Sequence, residues 1–543
     1  MTASLLAAVV LWLGISAWHL VDLLQFFQQH EYLTGRFLRW CAGHWDRVLT
    51  PLETLPLAAF AAGMAFPAAL PGSIWAFLAL WLAAAGASYL RWRRARARVI
   101  KPLVFTARVK RLLAAALIAA LAEAALLAWA VFGGLAFPAA LGAGGLAFAA
   151  LLWAFEQLTA LNLVIANGVA FPVEEALRQR YISEARRIIR KVNPVVIGIT
   201  GSYGKTSTKE ILAHLLGARG VVLKTPKTYN TILGVCKVIR EELKPQHEYF
   251  IVEMGAYKPG EIARICQLVR PKLGILTAVG PQHLERFKTI ENIARAKNEL
   301  IEALPADGVA IFNGDDPICR QLAAKARVKT LLYGMNPESQ GLFVRGFNPA
   351  ASEDGTSFEV EIAGREPEAA RTQLLGRHNI TNCLGAVAAA VECGLAPREA
   401  VRGLSSLEPL DHRLQAIRAP GGITTLDNAY NSNPSGAKVA LEVLASFPHG
   451  RKVLVTPGFA ELGPIQAQEH ARLGKAAAQV CDFIFLIGDQ GRREEILAGI
   501  RETGFNPERV YCYNRLNDAR EQLRQLLQPG DVVLFENDLI DIY

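Results

Sequence analysis

The sequence predicts a membrane α-helical N-terminal region followed by two α/β domains, a P-loop-type central domain and a C-terminal Rossmann-like domain. Three observations carry this prediction. The first third of the 543 residues is dominated by Leu, Ala, Trp and Phe. A short apolar strand at 194–200 runs into a glycine-rich loop and then a helical stretch to Leu216. After Pro409, apolar runs at 423–426, 453–455, 483–487 and 532–535 alternate with helical segments. A chain of this length holds roughly three or four folding units. We draw the boundaries at 1–170 (transmembrane), 171–193 (basic amphipathic linker), 194–407 (central) and 408–543 (C-terminal).

In the first region, apolar stretches run over Ala3–Phe27, Leu55–Leu70, Ile74–Leu90, Leu112–Phe132 and Leu135–Ala166. A bilayer core requires about 20 residues per span, which gives about five helices. Pro56 and Pro67 leave a re-entrant element open for the second stretch. The segment from Arg91 to Arg111 carries Arg91, Arg93, Arg94, Arg96, Arg98, Lys101, Arg108, Lys110 and Arg111 and no acid, the signature of a cytoplasmic loop. Two further spans return the chain to the cytoplasm near Asn167, and no basic segment precedes the first stretch, so a retained helix is expected there. The expected location is therefore the inner membrane of a bacterial cell, with the later domains cytoplasmic. Glu123 and Glu156 fall inside spans, where carboxylates are functional candidates; the alternative is that each faces a neighbouring helix. From Phe171 to Asn193 the chain is amphipathic and basic (Arg178, Arg180, Arg186, Arg187, Arg190, Lys191) and suits either anionic headgroups or an ordinary surface helix.

The net charge of +9 is explained by these membrane-flanking basic residues, so no nucleic-acid partner is expected. Eight cysteines are scattered without CxxC or metal-ligand spacing, as expected of reduced thiols.

The loop Gly201-Ser202-Tyr203-Gly204-Lys205-Thr206-Ser207 follows a buried strand and opens a helix, the arrangement that cradles phosphates. Glycines turn backbone N–H groups toward the anion, Lys205 supplies a mobile cation, and the Thr206 hydroxyl can ligate magnesium. Strict Walker A spacing would put glycine at Ile199, so the match is to the shorter TGxxGK[ST] form. A phosphate-binding ATPase domain is the reading.

Downstream, Thr225-Pro226, Tyr229-Asn230 and Leu233-Gly234-Val235 are followed by the strand Tyr249–Val252, which ends in Glu253-Met254-Gly255. A second strand leads to Gly280-Pro281-Gln282-His283, then come Ala294-Arg295-Ala296-Lys297-Asn298-Glu299 and Asn313-Gly314-Asp315-Asp316. Gly376-Arg377-His378-Asn379-Ile380-Thr381-Asn382 follows. This series, in this order, resembles the Mur ligase family, and most closely its MurF-type members, over about two-thirds of the chain. The resemblance implies ATP and Mg²⁺ as cofactors. It implies that Glu253 and His283 bind magnesium, that Lys297 is carbamylated to do the same, that Asn230 lies near substrate, and that Asn379 and Asn382 contact the adenine. By residue type alone, Lys297 is a solvated helix lysine, and the two asparagines at i and i+3 can cap a helix. The turn at Asn313 is structural.

In the C-terminal domain His412-Arg413 resembles the family's interdomain arginine, which approaches the γ-phosphate. Asp427-Asn428-Ala429-Tyr430-Asn431-Ser432-Asn433-Pro434 resembles the MurF-type DDxYNANP segment, and Glu461-Leu462-Gly463 with His470 resembles the ELG...H arrangement near the amine substrate. The resemblance thus places Asp427, Tyr430, Asn431, Asn433 and Glu461 among substrate-binding residues. Two departures bear on the amine donor: Asn428 stands where the family has a second aspartate, and Phe535-Glu536-Asn537-Asp538 stands where MurF-type enzymes carry KGS. The family's soluble UDP-sugar-binding N-terminal domain has no counterpart; apolar segments occupy its place.

The resemblance implies an ATP-dependent carboxylate–amine ligase that works through an acyl phosphate. Lys205, Glu253, His283, Lys297 and Arg413 form its catalytic set, with magnesium held by Thr206, Glu253, His283 and Lys297. The implied partners are a cell-wall peptide or lipid-linked precursor, an amino acid or dipeptide such as D-Ala-D-Ala, and the membrane. Two alternatives stay open: a Mur-type ligase making another polymer such as poly-γ-glutamate, and an ATP-driven membrane transporter or sensor.

Overall fold

The computed structural model describes residues 159–537, apart from 227–228, 353–354, 420 and 430–432, together with 17, 19–30, 32–44, 48 and 103–129. The chain divides into two units between Gln179 and Arg180. Most of the stretches read as spans, including all of Leu55–Leu70 and Ile74–Leu90, lie outside the described residues, as does Glu156.

In the first unit, helices Thr34–Gly43 and Ala107–Trp129 are formed, the latter over the stretch read as a span at 112–132. Leu20, Leu23, Leu24 and Phe27 pack with Phe37, Leu112, Ala116 and Leu163. Asn162 Nδ2 donates to Glu123 Oε2 at 2.9 Å, so this carboxylate faces a neighbouring helix.

The boundary placed at 170 falls inside one continuous helix, Thr159–Val192, with Pro172 within it. This helix is long and apolar enough to cross a membrane by length and composition. Its last turns do something else. Ala185 and Ile189, with Ile182, Ile188 and Val192 at helical spacing, pack into the core beneath the central sheet. Arg240 fixes them by donating to Glu184 at 2.8 Å and lying 4.2 Å over the Tyr181 ring. Of the two readings of 171–193, the end of the segment therefore follows the surface-helix one, because its apolar stripe is covered by protein.

The strand read at 194–200 is β1 (Val195–Thr200). It is followed by β2 (Val222–Lys224), β3 (Tyr249–Glu253), β4 (Leu273–Leu276), β5 (Val309–Asn313), β6 (Lys329–Gly334), β7 (Val344–Ser352), β8 (Gly355–Ile362) and β9 (Glu368–Thr372). They form one sheet in the order β2-β3-β1-β4-β5-β6-β7-β8-β9, parallel from β2 to β7 and antiparallel beyond. The central parallel strands β1, β3, β4 and β5 are buried on both faces, which is why they read as apolar runs. Helices Lys205–Gly217 and Arg377–Glu392 cover one face. Helices Ile232–Glu241, Glu261–Val269 and Ile290–Glu302 cover the other.

The C-terminal sheet contains β10 (Gln415–Arg418), β11 (Thr424–Asn428), β12 (Lys452–Thr456), β13 (Phe483–Ile487), β14 (Val510–Tyr513) and β15 (Val532–Glu536). Its order is β10-β11-β15-β12-β13-β14, parallel except for β10. The order reverses beside β15, and the carboxyl ends of β11, β12 and β15 are where an α/β fold places its ligands.

Candidate active site

The chemistry converges at the carboxyl ends of β1 and β3, neighbours in the sheet with Ile199 opposite Glu253. After β1 the chain must reverse within four residues into the helix Lys205–Gly217. Gly201 at φ 151° and Gly204 at φ 80° take backbone conformations that side chains disfavour. A Cβ on Gly201 would collide with Thr277 and one on Gly204 with Asn382. The Ser202 hydroxyl ties the loop down: it donates to the Gly280 carbonyl and accepts from the Gly280 N–H, both at 3.0 Å. Ser207 is buried in the first helical turn. The loop and the free N–H groups at the helix start form an anion cradle.

Lys205 lies back across the loop and donates to the carbonyls of Gly201 (2.7 Å) and Ser202 (3.3 Å). Burial pulls its ammonium down to about 8, with Glu253 opposing and Arg413 adding to the effect. Beside it, Thr206 Oγ1 donates to Glu253 Oε2 at 3.0 Å. The Glu253 carboxylate is 3% exposed and is held from two further directions, with the backbone tied down as well. Lys209 reaches Oε2 at 3.1 Å, Asn230 Nδ2 reaches Oε1 at 3.2 Å, and the Glu253 N–H is received by Thr225 Oγ1 at 3.0 Å. Burial alone would raise this carboxyl, but the Lys209 and Lys205 charges and the hydrogen bonds outweigh it and keep the group below the usual carboxylate range.

From β4 the chain reaches His283, a non-glycine residue at φ 52°. Its Nδ1 pairs with Glu461 of the C-terminal domain, itself at φ 59°. Arg286 meets the other Glu461 oxygen at 3.3 Å and lies 4.2 Å over Tyr257, whose ring stands edge-on to His283. Burial holds the imidazole below its ordinary value, outweighing Glu461, with Lys205 and Lys297 contributing. Lys297 is not the solvated lysine its residue type suggested. It is 2% exposed on the helix Ile290–Glu302, and burial together with Lys205 lowers its amine well below the lysine range.

The C-terminal domain contributes Arg413, whose Nη2 reaches Thr206 Oγ1 at 3.3 Å. Flanking residues His412 (φ 57°) and Leu414 (φ 55°) both take left-handed backbone, which projects the guanidinium across the domain boundary. His412 Nδ1 is in turn 2.7 Å from Asp427 Oδ2, and Asp427 Oδ1 accepts from the Ala429 N–H.

Several expected ligands are engaged otherwise. Asn379 and Asn382 sit on a helix buried on all sides. Asn379 donates to the Leu375 carbonyl at 2.8 Å and Asn382 donates to Asn379 at 3.2 Å, while Asn382 Oδ1 accepts from the Thr208 hydroxyl at 3.4 Å. Neither caps that helix; Gly376 occupies its N-cap. Asn433 caps the helix Pro434–Ser446 by accepting from the Gly436 N–H at 2.9 Å. His470 is fully buried between the Phe459 N–H and Glu495 and supports the fold of the domain there. Tyr430 and Asn431 lie outside the described residues. The two departures from the MurF-type pattern meet each other: Asn428 Nδ2 donates to Glu536 Oε2 at 2.8 Å. Sequence reasoning did not single out Lys209, Tyr257 or Arg286. Among the described residues no group of three or more His, Cys, Asp or Glu could hold a metal ion by itself. The donors at Thr206 and Glu253, a hydroxyl and one carboxylate, fit a magnesium whose shell is completed by phosphate oxygens and water.

The Mur ligase middle domain matches residues 199–390, and the Mur ligase glutamate ligase domain matches residues 412–536. The UDP-N-acetylmuramoyl-tripeptide–D-alanyl-D-alanine ligase of Bacillus subtilis (strain 168) is 31% identical over 354 residues, 65% of this chain and 75% of that protein. A MurF crystal structure from Acinetobacter baumannii superimposes with a TM-score of 0.60 at 26% identity, covering 66% of this chain and 77% of the other. The Thermotoga maritima MurF ligase in complex with ADP does so with 0.59 at 26% identity, covering 67% and 81%.

Proposed function

Because the chain belongs to the Mur ligase family, we propose that it is an ATP-dependent ligase adding D-Ala-D-Ala, or a related amino acid or dipeptide, to a cell-wall peptide precursor. The observation that carries this is the reach of Arg413 from one domain onto Thr206 of the phosphate loop in the other. A cation supplied across a domain boundary to the phosphate site assembles the catalytic set only when both domains are in register, as a ligase activating one substrate for attack by another requires.

In this reading the γ-phosphoryl group passes to the acceptor carboxylate, and the resulting acyl phosphate is attacked by the amine, giving amide, ADP and phosphate. Lys205 and Arg413 neutralise the charge on the transferring group. Thr206 and Glu253 hold magnesium, which when bound shields the phosphates and polarises the transferring group. His283 and Lys297 serve a second ion. A lysine must be uncharged to take up carbon dioxide, and the burial of Lys297 favours the neutral amine. Asp427 and Glu461 line the donor side, Asn230 orients Glu253, and Tyr430 and Asn431 belong with the donor by resemblance.

We place this catalytic half at the cytoplasmic face of a bacterial inner membrane, anchored by residues 1–170. Residues 1–198 precede both matched domains. The helix Thr159–Val192 has the length and apolarity of a span, and Leu161, Ile165, Val169 and Phe171 are exposed along it, as are Ile118, Leu126 and Trp129 on Ala107–Trp129. With this region in place of a soluble UDP-sugar-binding domain, a lipid-linked acceptor enters alongside the UDP-linked one.

The test is phosphate release and product mass spectrometry with full-length protein, ATP, magnesium, D-Ala-D-Ala and UDP-N-acetylmuramoyl-tripeptide. Pentapeptide formation that Lys205→Ala abolishes supports the reading. Activity only with a lipid-linked acceptor moves the substrate but keeps the chemistry. Phosphate release without amide defeats it.

A further inference from the structure

Four charges of alternating sign run from the surface to the phosphate site. Lys224, partly exposed, pairs with Glu210. Glu210 Oε1 lies 3.5 Å from Lys209 Nζ, which lies 3.1 Å from Glu253 Oε2, the oxygen that also receives Thr206. The Lys209 side chain is wholly buried. Stability does not account for it, since a buried ion pair barely repays the desolvation of its two ions and an apolar residue of similar size serves a core as well or better. Position does. Lys209 lies one helical turn after Lys205, on the same face of the helix, which brings it against the end of β3. With Asn230 on Oε1 and Lys209 on Oε2, both carboxylate oxygens are fixed and the plane of Glu253 relative to Thr206 is set.

We propose that Lys209 is a positioning residue of the nucleotide site, holding Glu253 in the orientation in which it and Thr206 engage the magnesium that accompanies the phosphates. The inference rests on the reading of Thr206 and Glu253 as magnesium anchors. Lys209 touches neither nucleotide nor metal in this role; it acts through Glu253, and Glu210 steadies it from behind.

Calorimetric titration of full-length protein with ADP, with magnesium and with a chelator instead, separates this role from support of the fold. Lys209→Met is expected to weaken binding of ADP with magnesium by about tenfold, the usual effect of losing a partner behind a metal ligand, and to leave chelated ADP binding unchanged. Equal binding to wild type under both conditions, or equal losses in both, overturns the inference. If thermal melting shows that Lys209→Met does not fold, Glu210→Gln decides, because it keeps the buried ammonium and loosens only its second partner. A selective loss of about two- to threefold with magnesium is then expected, in line with a partly exposed ion pair, and no selective loss overturns the inference. Wild-type ADP binding indifferent to magnesium defeats the anchor reading itself, an outcome distinct from a wild type that needs magnesium and a Lys209→Met that does not differ from it.

Discussion

The two halves of the candidate site are built differently. In the central domain Lys209, Glu253 and Lys297 are buried charged or ionisable groups and Lys205 beside them is half-buried; no packing requirement explains their presence, and they lie near one another around the ends of β1 and β3. In the C-terminal domain most motif residues have structural work as well: Asn433 caps a helix, His470 fills a core position, and Asn428 braces Glu536. Arg413 reaches from that half onto Thr206 at the phosphate loop. Placing an ion in a protein interior is costly, so a cluster of them marks a site that uses their charge, whereas a polar residue at a turn or cap has a local reason to be there.

This contrast ranks the effects of removing each group. Lys205→Ala takes the cation from the centre of the cluster and is expected to lower kcat by about a thousandfold, as loss of a principal electrostatic stabiliser does. Product formation against ATP concentration measures it, and a loss under tenfold would remove the central half from its leading place. Arg413→Ala is expected to cost about a hundredfold in kcat while ADP affinity holds within a few-fold, because the arginine serves the transferring phosphoryl group and stands on the other domain. Equal losses in kcat and ADP affinity would make Arg413 an ordinary nucleotide ligand and dissolve the distinction between the halves.

The central half was also the more legible one in sequence. The glycine loop needs a strand before it and a helix after it, and both were visible as an apolar run and a helical pattern. Lys209 was not visible, because a lysine four residues along a helix from another has the pattern of a solvated face; only the packing of that helix over the sheet buries it. The strands β7 to β9 were missed although β8 carries the signal, with Phe358, Val360 and Ile362 inward and Ser357, Glu359 and Glu361 between them. The burial of Asn379 and Asn382 was not visible either: their helix is buried without interruption over 382–390, and the two amides hydrogen-bond to each other. In the C-terminal half the motif pointed to loops at the ends of β11 and β12. It could not tell which of their residues serve substrate and which serve the turn.

Both halves carry a cost at low pH, since burial lowers His470 in the C-terminal half and His378 in the central one, and His378 is the larger case. His378, beside Asn379, is held down to about 4 by burial, with Arg413 adding, and its Nδ1 has no hydrogen-bond partner. Unfolding returns the imidazole to about 6.5, so between these values the unfolded chain binds the extra proton. Stability attributable to this group is complete above about 6.5 and falls toward pH 4 by up to about 1.4 kcal/mol per pH unit. Urea midpoints at pH 7 and pH 5 should separate more for wild type than for His378→Gln. Identical separations would show that the imidazole titrates freely in the folded protein and that the region is less tightly closed than the central cluster requires.

The smallest expected effect is the most exacting for the comparison. Asn433 belongs by resemblance to a substrate-binding segment, but its side chain accepts from the Gly436 N–H at the start of the helix Pro434–Ser446, with Pro434 at the first helical position. Those features define a helix N-terminus, where an asparagine satisfies an N–H that has no partner within the helix. Asn433→Ala should cost about 1 kcal/mol of stability, read as a shift in urea midpoint. The KM for the amine donor and kcat should both stay within about twofold, the loss being confined to the cap. Alanine keeps the backbone course of the loop and removes only the amide, so a donor contact would have to appear in KM. A tenfold rise in donor KM with little loss of stability would return Asn433 to the substrate, and with it the idea that the C-terminal half, like the central one, is made of residues placed for chemistry first.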